Sequence, residues 1–144
     1  REEGASIDGL LVFDHVDNLA AIDLREANYD RRTVLPDQIA LAASLVGGSP
    51  IFVYEAHQEV PFHPDPPMIL QSYLDAVMQG FLVEHGSKGL RRFVEETHNF
   101  DTPIYRDRDA PAYPRAVRLG LSEADLFDRL LMKRGATFVE MRET

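Results

Sequence analysis

Residues 57–67, His-Gln-Glu-Val-Pro-Phe-His-Pro-Asp-Pro-Pro, carry four prolines. Proline fixes φ, lacks an amide donor and pushes the residue before it away from helical backbone, so neither a helix nor an interior strand crosses this stretch. It reads as an irregular loop. Ahead of it the chain has the marks of short strands and one short helix; behind it the marks are mostly helical.

On the N-terminal side, Ile7 to Phe13 reads as a strand, with Gly9 at a bulge or close contact. Asp17 is placed to cap a short helix that runs to Glu26, with Leu19 and Ile22 three apart on one face. Tyr29 to Leu35 is a second strand, ended or held at an edge by Pro36. Residues 38–46 fit either a strand or a short helix, and Gly47 to Pro50 is a turn. Ile51 to Ala56, Ile-Phe-Val-Tyr-Glu-Ala, is β-branched and aromatic and predicts a strand.

On the C-terminal side, Leu70, Leu74, Val77, Met78 and Phe81 recur at helical spacing and predict a helix from about Met68 to Glu84. Gln71, Ser72, Asp75 and Gln79 mark its wet face, and His85-Gly86 ends it. A shorter helix follows from Ser87 to His98, with Leu90, Phe93 and Val94 inward. Residues 99–118 form a long connection with three prolines and no clear period; loops of that length in compact domains are often functional or mobile. Ser122, helped by Asp125, caps a last helix that Gly135 ends, and Thr137 to Met141 is read as a final strand.

The 144 residues suffice for one domain with a real core, and neither a repeat, a low-complexity tract nor a strong domain boundary interrupts them. With no cysteine, disulfides, thiolate catalysis and cysteine metal sites are excluded, which fits a cytoplasmic protein. A net charge of −9 argues against nucleic-acid and anionic-membrane partners. No apolar run approaches the length of a membrane span. No signal peptide is visible, but the chain begins at Arg1 rather than Met, which leaves a leader or a further domain portion upstream open.

Few residues carry a recognisable chemistry. The five histidines form no His-Glu-x-x-His pattern; His57 and His63, with Asp65 nearby, are the one weak metal candidate. No Gly-x-Ser-x-Gly nucleophile turn is present, and Gly47-Gly48 alone does not make a phosphate loop. Arg106, Arg108, Arg115 and Arg118 lie among acidic residues and read as locally paired, with an anion or partner contact as the alternative. Glu26, at the joint between a helix and a strand, reads on spacing alone as an exposed charge facing the unfavourable end of the helix dipole. Were it buried, its pKa would rise and it would become a competent base near neutral pH.

The order of the pieces is more informative. Gly9 to Phe13, then Ile22-Asp23-Leu24-Arg25-Glu26-Ala27, Tyr29, and Arg31 to Val34 resemble the gamma-glutamylcyclotransferase family. There a Gly-hydrophobic-hydrophobic-Phe strand is followed by a short helix ending Leu-Asp-x-x-Glu-(Gly/Ala), a Tyr and another strand. Tyr54 is similar to the tyrosine ending a later family strand. Pro67, Tyr73, Leu74 and Gly80 follow the family's Pro-x-x-x-Tyr-Leu…Gly helix with looser spacing. The resemblance covers about residues 7–85, with residues 86–144 as a C-terminal extension within a single domain. The family's Tyr-Gly-Ser glycine loop would fall before Arg1. An excised or truncated domain and a protein that has lost the loop are both open.

The resemblance implies an α+β fold, a small mixed β-barrel or strongly curved sheet flanked by helices. It implies cyclisation of a gamma-glutamyl amide or peptide to 5-oxoproline. Because the α-amine of the substrate is itself the nucleophile, no enzyme nucleophile, metal or cofactor is required. In this reading Glu26 is the general acid and base, and Tyr29 and Tyr54 line the pocket or bind substrate, or else serve as barrel-core aromatics. The partner is a small gamma-glutamyl molecule, with a homo-oligomer left open. Two other readings stand beside it: a non-catalytic binding module whose extension docks a partner or second subunit, and a metal-dependent hydrolase built on His57 and His63.

Overall fold

The computed structural model describes residues 4, 6–40, 48–56, 68–98 and 100–140. The chain falls into two compact units, Leu11–His63 and Arg1–Leu10 with Pro64–Thr144.

In the first unit a 3-10 turn, Val16–Asn18, leads into helix α1, Leu19–Arg25. Asp17 does not cap this helix. His15 stands before the turn and accepts from the Asp17 amide, while Asp14 Oδ1 accepts from the His15 amide at 2.7 Å and from Asn18 Nδ2 at 2.6 Å. The start is thus set by His15, which accepts from the Asp17 amide as an N-cap side chain does, and by Asp14, which ties down the His15 amide and the Asn18 side chain. Strands β1, Tyr29–Val34, and β2, Ile51–Ala56, pair antiparallel with Tyr29 opposite Ala56 and Val34 opposite Ile51. Pro36 opens a 3-10 turn, Pro36–Gln38, and stops β1. The residues read as helix or strand at 41–46, and the proline loop at 57–67, lie outside the described residues.

The segment expected to be the first strand, 7–13, has no regular structure. Val12 and Phe13 are 87% and 80% exposed. The apolar run satisfies the composition of a strand, but strand structure needs a ladder partner, and among the described residues it has none.

The second unit holds the core. Strands β3, Ile69–Leu70, β4, Ile104–Arg106, and β5, Phe138–Glu140, form a parallel sheet in the order β3-β4-β5. Helix α2, Gln71–Glu96, follows β3 directly, and helix α3, Leu121–Lys133, connects β4 to β5. Leu74, Met78, Leu90 and Val94 of α2 meet Phe127 and Leu131 of α3 and Ile104 of β4 in one buried cluster. The parallel β4–helix–β5 order is a crossover, which requires the intervening helix.

Several expected details change. Residues 69–70 are a short strand rather than the start of the helix. The break expected at His85-Gly86 is present: Gly86 is non-helical, with φ 64° and ψ −173°, and helix resumes beyond it. The last helix is preceded by Gly120, whose amide donates to Glu123 at 3.0 Å, and Ser122 lies inside the first turn. Gly135 ends it at φ 95°. The region beyond residue 86 is mixed, since it contributes β4 and β5 as well as helix. The architecture is α+β, and among the described residues neither sheet closes into a barrel. None of the described helices is long and apolar enough to cross a membrane.

Candidate functional site

Glu26 is the C-terminal cap of α1. Its amide donates to the Ile22 carbonyl and its own carbonyl accepts from the Tyr29 amide, each at 2.9 Å. These two backbone bonds join helix to strand through a single residue. Its side chain is 28% exposed and accepts from Arg25 Nε at 2.9 Å. It is therefore neither a free surface charge nor a sealed one. Tyr29, the first residue of β1, is half exposed.

The strand register shows what faces this helix end. Side chains two apart share a face, and directly opposed residues of an antiparallel pair share it too. Tyr29, Arg31 and Thr33 thus lie on one face with Ala56, Tyr54 and Phe52. Asp23 of α1, one helical turn before Glu26, reaches that face: Tyr54 OH donates to Asp23 Oδ1 at 2.6 Å, and Arg31 Nη1 pairs with Asp23 Oδ2 at 3.0 Å. The Arg31 guanidinium lies over the Phe52 ring, 4.9 Å from its centroid. The hydrogen bond to Asp23, with partial burial and the charge of Asp23 added, holds the Tyr54 hydroxyl above the ordinary tyrosine value of 10.0, against a smaller opposing effect of Arg31. On the opposite face Arg32 pairs with Glu55 at 2.6 Å.

The structure thus ties Tyr54 to Asp23 and Arg31, whereas Glu26 is tied to Arg25 and, through its backbone, to Tyr29. Sequence reasoning gave Asp23 and Arg31 no role. The signal was available: Asp23 is three residues before Glu26 on one helix face, and Arg31 is two residues after Tyr29 on one strand face.

A second polar cluster lies in the other unit. Gln71, Ser72 and Asp75, expected on the wet face of their helix, are buried. Asp107 accepts from the Ser72 amide at 2.7 Å, the Ser72 hydroxyl at 2.5 Å and the Ala112 amide at 3.0 Å. Arg108 forks onto Asp75, Nε to Oδ2 at 2.7 Å and Nη2 to Oδ1 at 2.9 Å, and also reaches Asp128 at 2.8 Å, whose carboxylate accepts from Gln71 Nε2 as well. These bonds run between the connection after β4, α2 and α3, so the cluster acts as a brace that fastens the three together.

Two of the other arginines singled out in the sequence are also locally engaged. Arg106 pairs with Glu140 and lies over Phe138, and Arg115 lies over Tyr113. A small pocket lined by Ser6, Asp8, Phe81, Arg92, Phe93 and Glu96 is occupied along its rim by the pairing of Arg92 with Asp8 and Glu96. His57, His63 and Asp65 lie outside the described residues, and among the described residues there is no cluster able to hold a metal ion. Compared with models of protein families, with curated proteins and with solved structures, the chain matches none.

Proposed function

We propose that this chain cyclises a gamma-glutamyl amide or peptide to 5-oxoproline and a free amine, with Glu26 carrying the proton. The observation that supports the reading is the setting of Glu26. It is a partly shielded carboxylate at the end of a helix, joined by its own backbone to the strand that carries Tyr29. The order Asp23, Glu26, Tyr29 and Tyr54 is the one on which the family resemblance rests. The reading carries with it a small mixed β-barrel or strongly curved sheet, in which the β1–β2 hairpin takes part.

The chemistry needs little from the protein. The α-amine and the γ-carbonyl of the substrate are already at five-ring distance, so attack is intramolecular. Glu26 takes a proton from the α-ammonium, and the freed amine nitrogen bonds to the γ-carbonyl carbon. The tetrahedral intermediate then collapses as its bond to the leaving nitrogen breaks. Glu26 returns its proton to that nitrogen, then takes the second proton from the ring nitrogen and passes it to the departing amine, which leaves as the ammonium while the ring nitrogen keeps the single hydrogen of the lactam. No water is consumed, and the products together hold the atoms of the substrate. Tyr29 and Tyr54 border the face on which the substrate lies.

The test is to incubate the chain with gamma-glutamyl peptides and gamma-glutamyl amines and to measure 5-oxoproline. Release above the protein-free blank is expected; none with any of them would sink the proposal. A second reading, a non-catalytic cyclotransferase-like binding module, is favoured by the exposed apolar side chains of Val12 and Phe13. It predicts docking of a partner or second subunit with no 5-oxoproline formed from any of these compounds.

A further inference from the structure

A gamma-glutamyl substrate brings an α-carboxylate as well as an α-amine, and the two share one carbon. Whatever holds the carboxylate therefore fixes where the amine lies relative to Glu26. The site is unfavourable to that carboxylate at first sight, because Glu26 and Asp23 lie a turn apart on the same helix and both carry negative charge. A cation on the same face has to offset them.

Three arginines are near enough in sequence to serve. Arg32 points to the opposite face and is taken up by Glu55 at 2.6 Å. Arg25 pairs with Glu26 itself and is otherwise turned to solvent, its side chain 71% exposed. Arg31 shares its face with Tyr29 and Tyr54. It is held at two points, by the Phe52 ring under its Cζ and by Asp23 on Nη1. A guanidinium so held presents a planar fork, the shape that recognises a carboxylate.

The same chain shows that one guanidinium can serve two carboxylates at once. Arg108 is filled by Asp75 and Asp128 together. Among the described residues Arg31 is paired with one carboxylate, Asp23, and its side chain remains about a third exposed at 32%. Resting on the cyclotransfer reading, we propose that Arg31 binds the α-carboxylate of the gamma-glutamyl group, with Asp23 and Phe52 as its positioning residues.

The test compares two probes, gamma-glutamyl-alanine and 4-aminobutanoyl-alanine. The second lacks only the α-carboxylate and keeps the amine at ring-closing distance. Binding of both is measured calorimetrically to the full chain carrying Glu26→Gln, which removes turnover, and to the same chain with Arg31→Met or Arg31→Lys added. Circular dichroism checks that each variant is folded. The Glu26→Gln chain is expected to prefer gamma-glutamyl-alanine by about 10- to 100-fold, the range of a charge-assisted hydrogen-bonded pair. Arg31→Met should reduce that preference to within about threefold, while Arg31→Lys, which keeps the charge and loses the fork, falls between. If Arg31→Met does not fold, Arg31→Lys decides.

A preference unchanged in the folded Arg31 variants overturns the assignment, as does binding of both probes with equal affinity before Arg31 is altered. The cyclotransfer reading is judged separately, by 5-oxoproline from the unaltered chain. An Arg31-dependent preference without 5-oxoproline supports the carboxylate site and overturns the reaction. Release of 5-oxoproline with an Arg31-independent preference supports the reaction and overturns the site. Neither binding nor release overturns both.

Discussion

Burial alone would raise the pKa of Asp107, but the Ser72 hydroxyl, the Ser72 amide and the Ala112 amide all donate to it and together hold its carboxyl below the ordinary aspartate value of 3.8. A depressed folded-state pKa contributes stability that is present above the unfolded value and lost as pH falls through the folded one. Asp107→Asn is therefore expected to lower stability at neutral pH by about 2 kcal/mol, because an amide cannot accept from all three donors. In urea unfolding across a pH series, the gap between the two proteins should close below pH 3.8; a gap that stays constant contradicts the assignment. At Tyr54 the direction is opposite, since the bond to Asp23 disfavours ionisation. Asp23→Asn should move the Tyr54 titration down toward 10.0. The ultraviolet absorbance of tyrosinate reads this, with Tyr54→Phe identifying its share among the five tyrosines. An unmoved titration would mean that the bond does not hold in solution.

Among the elements, α2 shows most clearly what a hydrophobic period can and cannot tell. Leu74, Met78, Leu90 and Val94 were legible as its inward stripe, and they are buried. Ser72 and Asp75 looked wet because nothing within a turn or two of them could pay for their burial. Their partners, Asp107 and Arg108, arrive from 35 and 33 residues away. Removing that arginine should show its weight. Arg108→Ala leaves Asp75, 1% exposed, without its counter-ion and is expected to destabilise by about 3–5 kcal/mol in denaturant unfolding. A loss under about 1 kcal/mol would mean the pair behaves as a surface bridge. The kink in the same helix was legible from Gly86, whose φ of 64° with ψ −173° is essentially closed to other residues. A Cβ there meets nothing within 4 Å, so Gly86→Ala tests backbone strain alone, with about 1–3 kcal/mol expected from thermal or urea unfolding and no effect if the kink straightens freely.

At the scale of the whole molecule, the strands β1 and β2 were readable because local pattern determines them: β-branched and aromatic residues, a proline stop and a glycine-bounded second strand; their antiparallel pairing was not. Segment 7–13 was misread as a strand, because an apolar run records composition whereas a strand is a relation between two segments. The candidate site was half legible. Glu26, Tyr29 and Tyr54 stood out through the order of motifs, whereas sequence spacing only hints at Asp23 and Arg31; the register of β1 on β2 sets Arg31 opposite Tyr54, and Asp23 gains its place through its contacts with both. The central claim is that Glu26 moves the proton in ring closure. It is tested most directly by comparing 5-oxoproline formation from gamma-glutamyl-alanine by the unaltered chain and by Glu26→Gln. The account predicts turnover by the first and a kcat at least about 100-fold lower in the second, the usual contribution of a general acid–base group. Equal rates in the two proteins, or no 5-oxoproline from either, would contradict it.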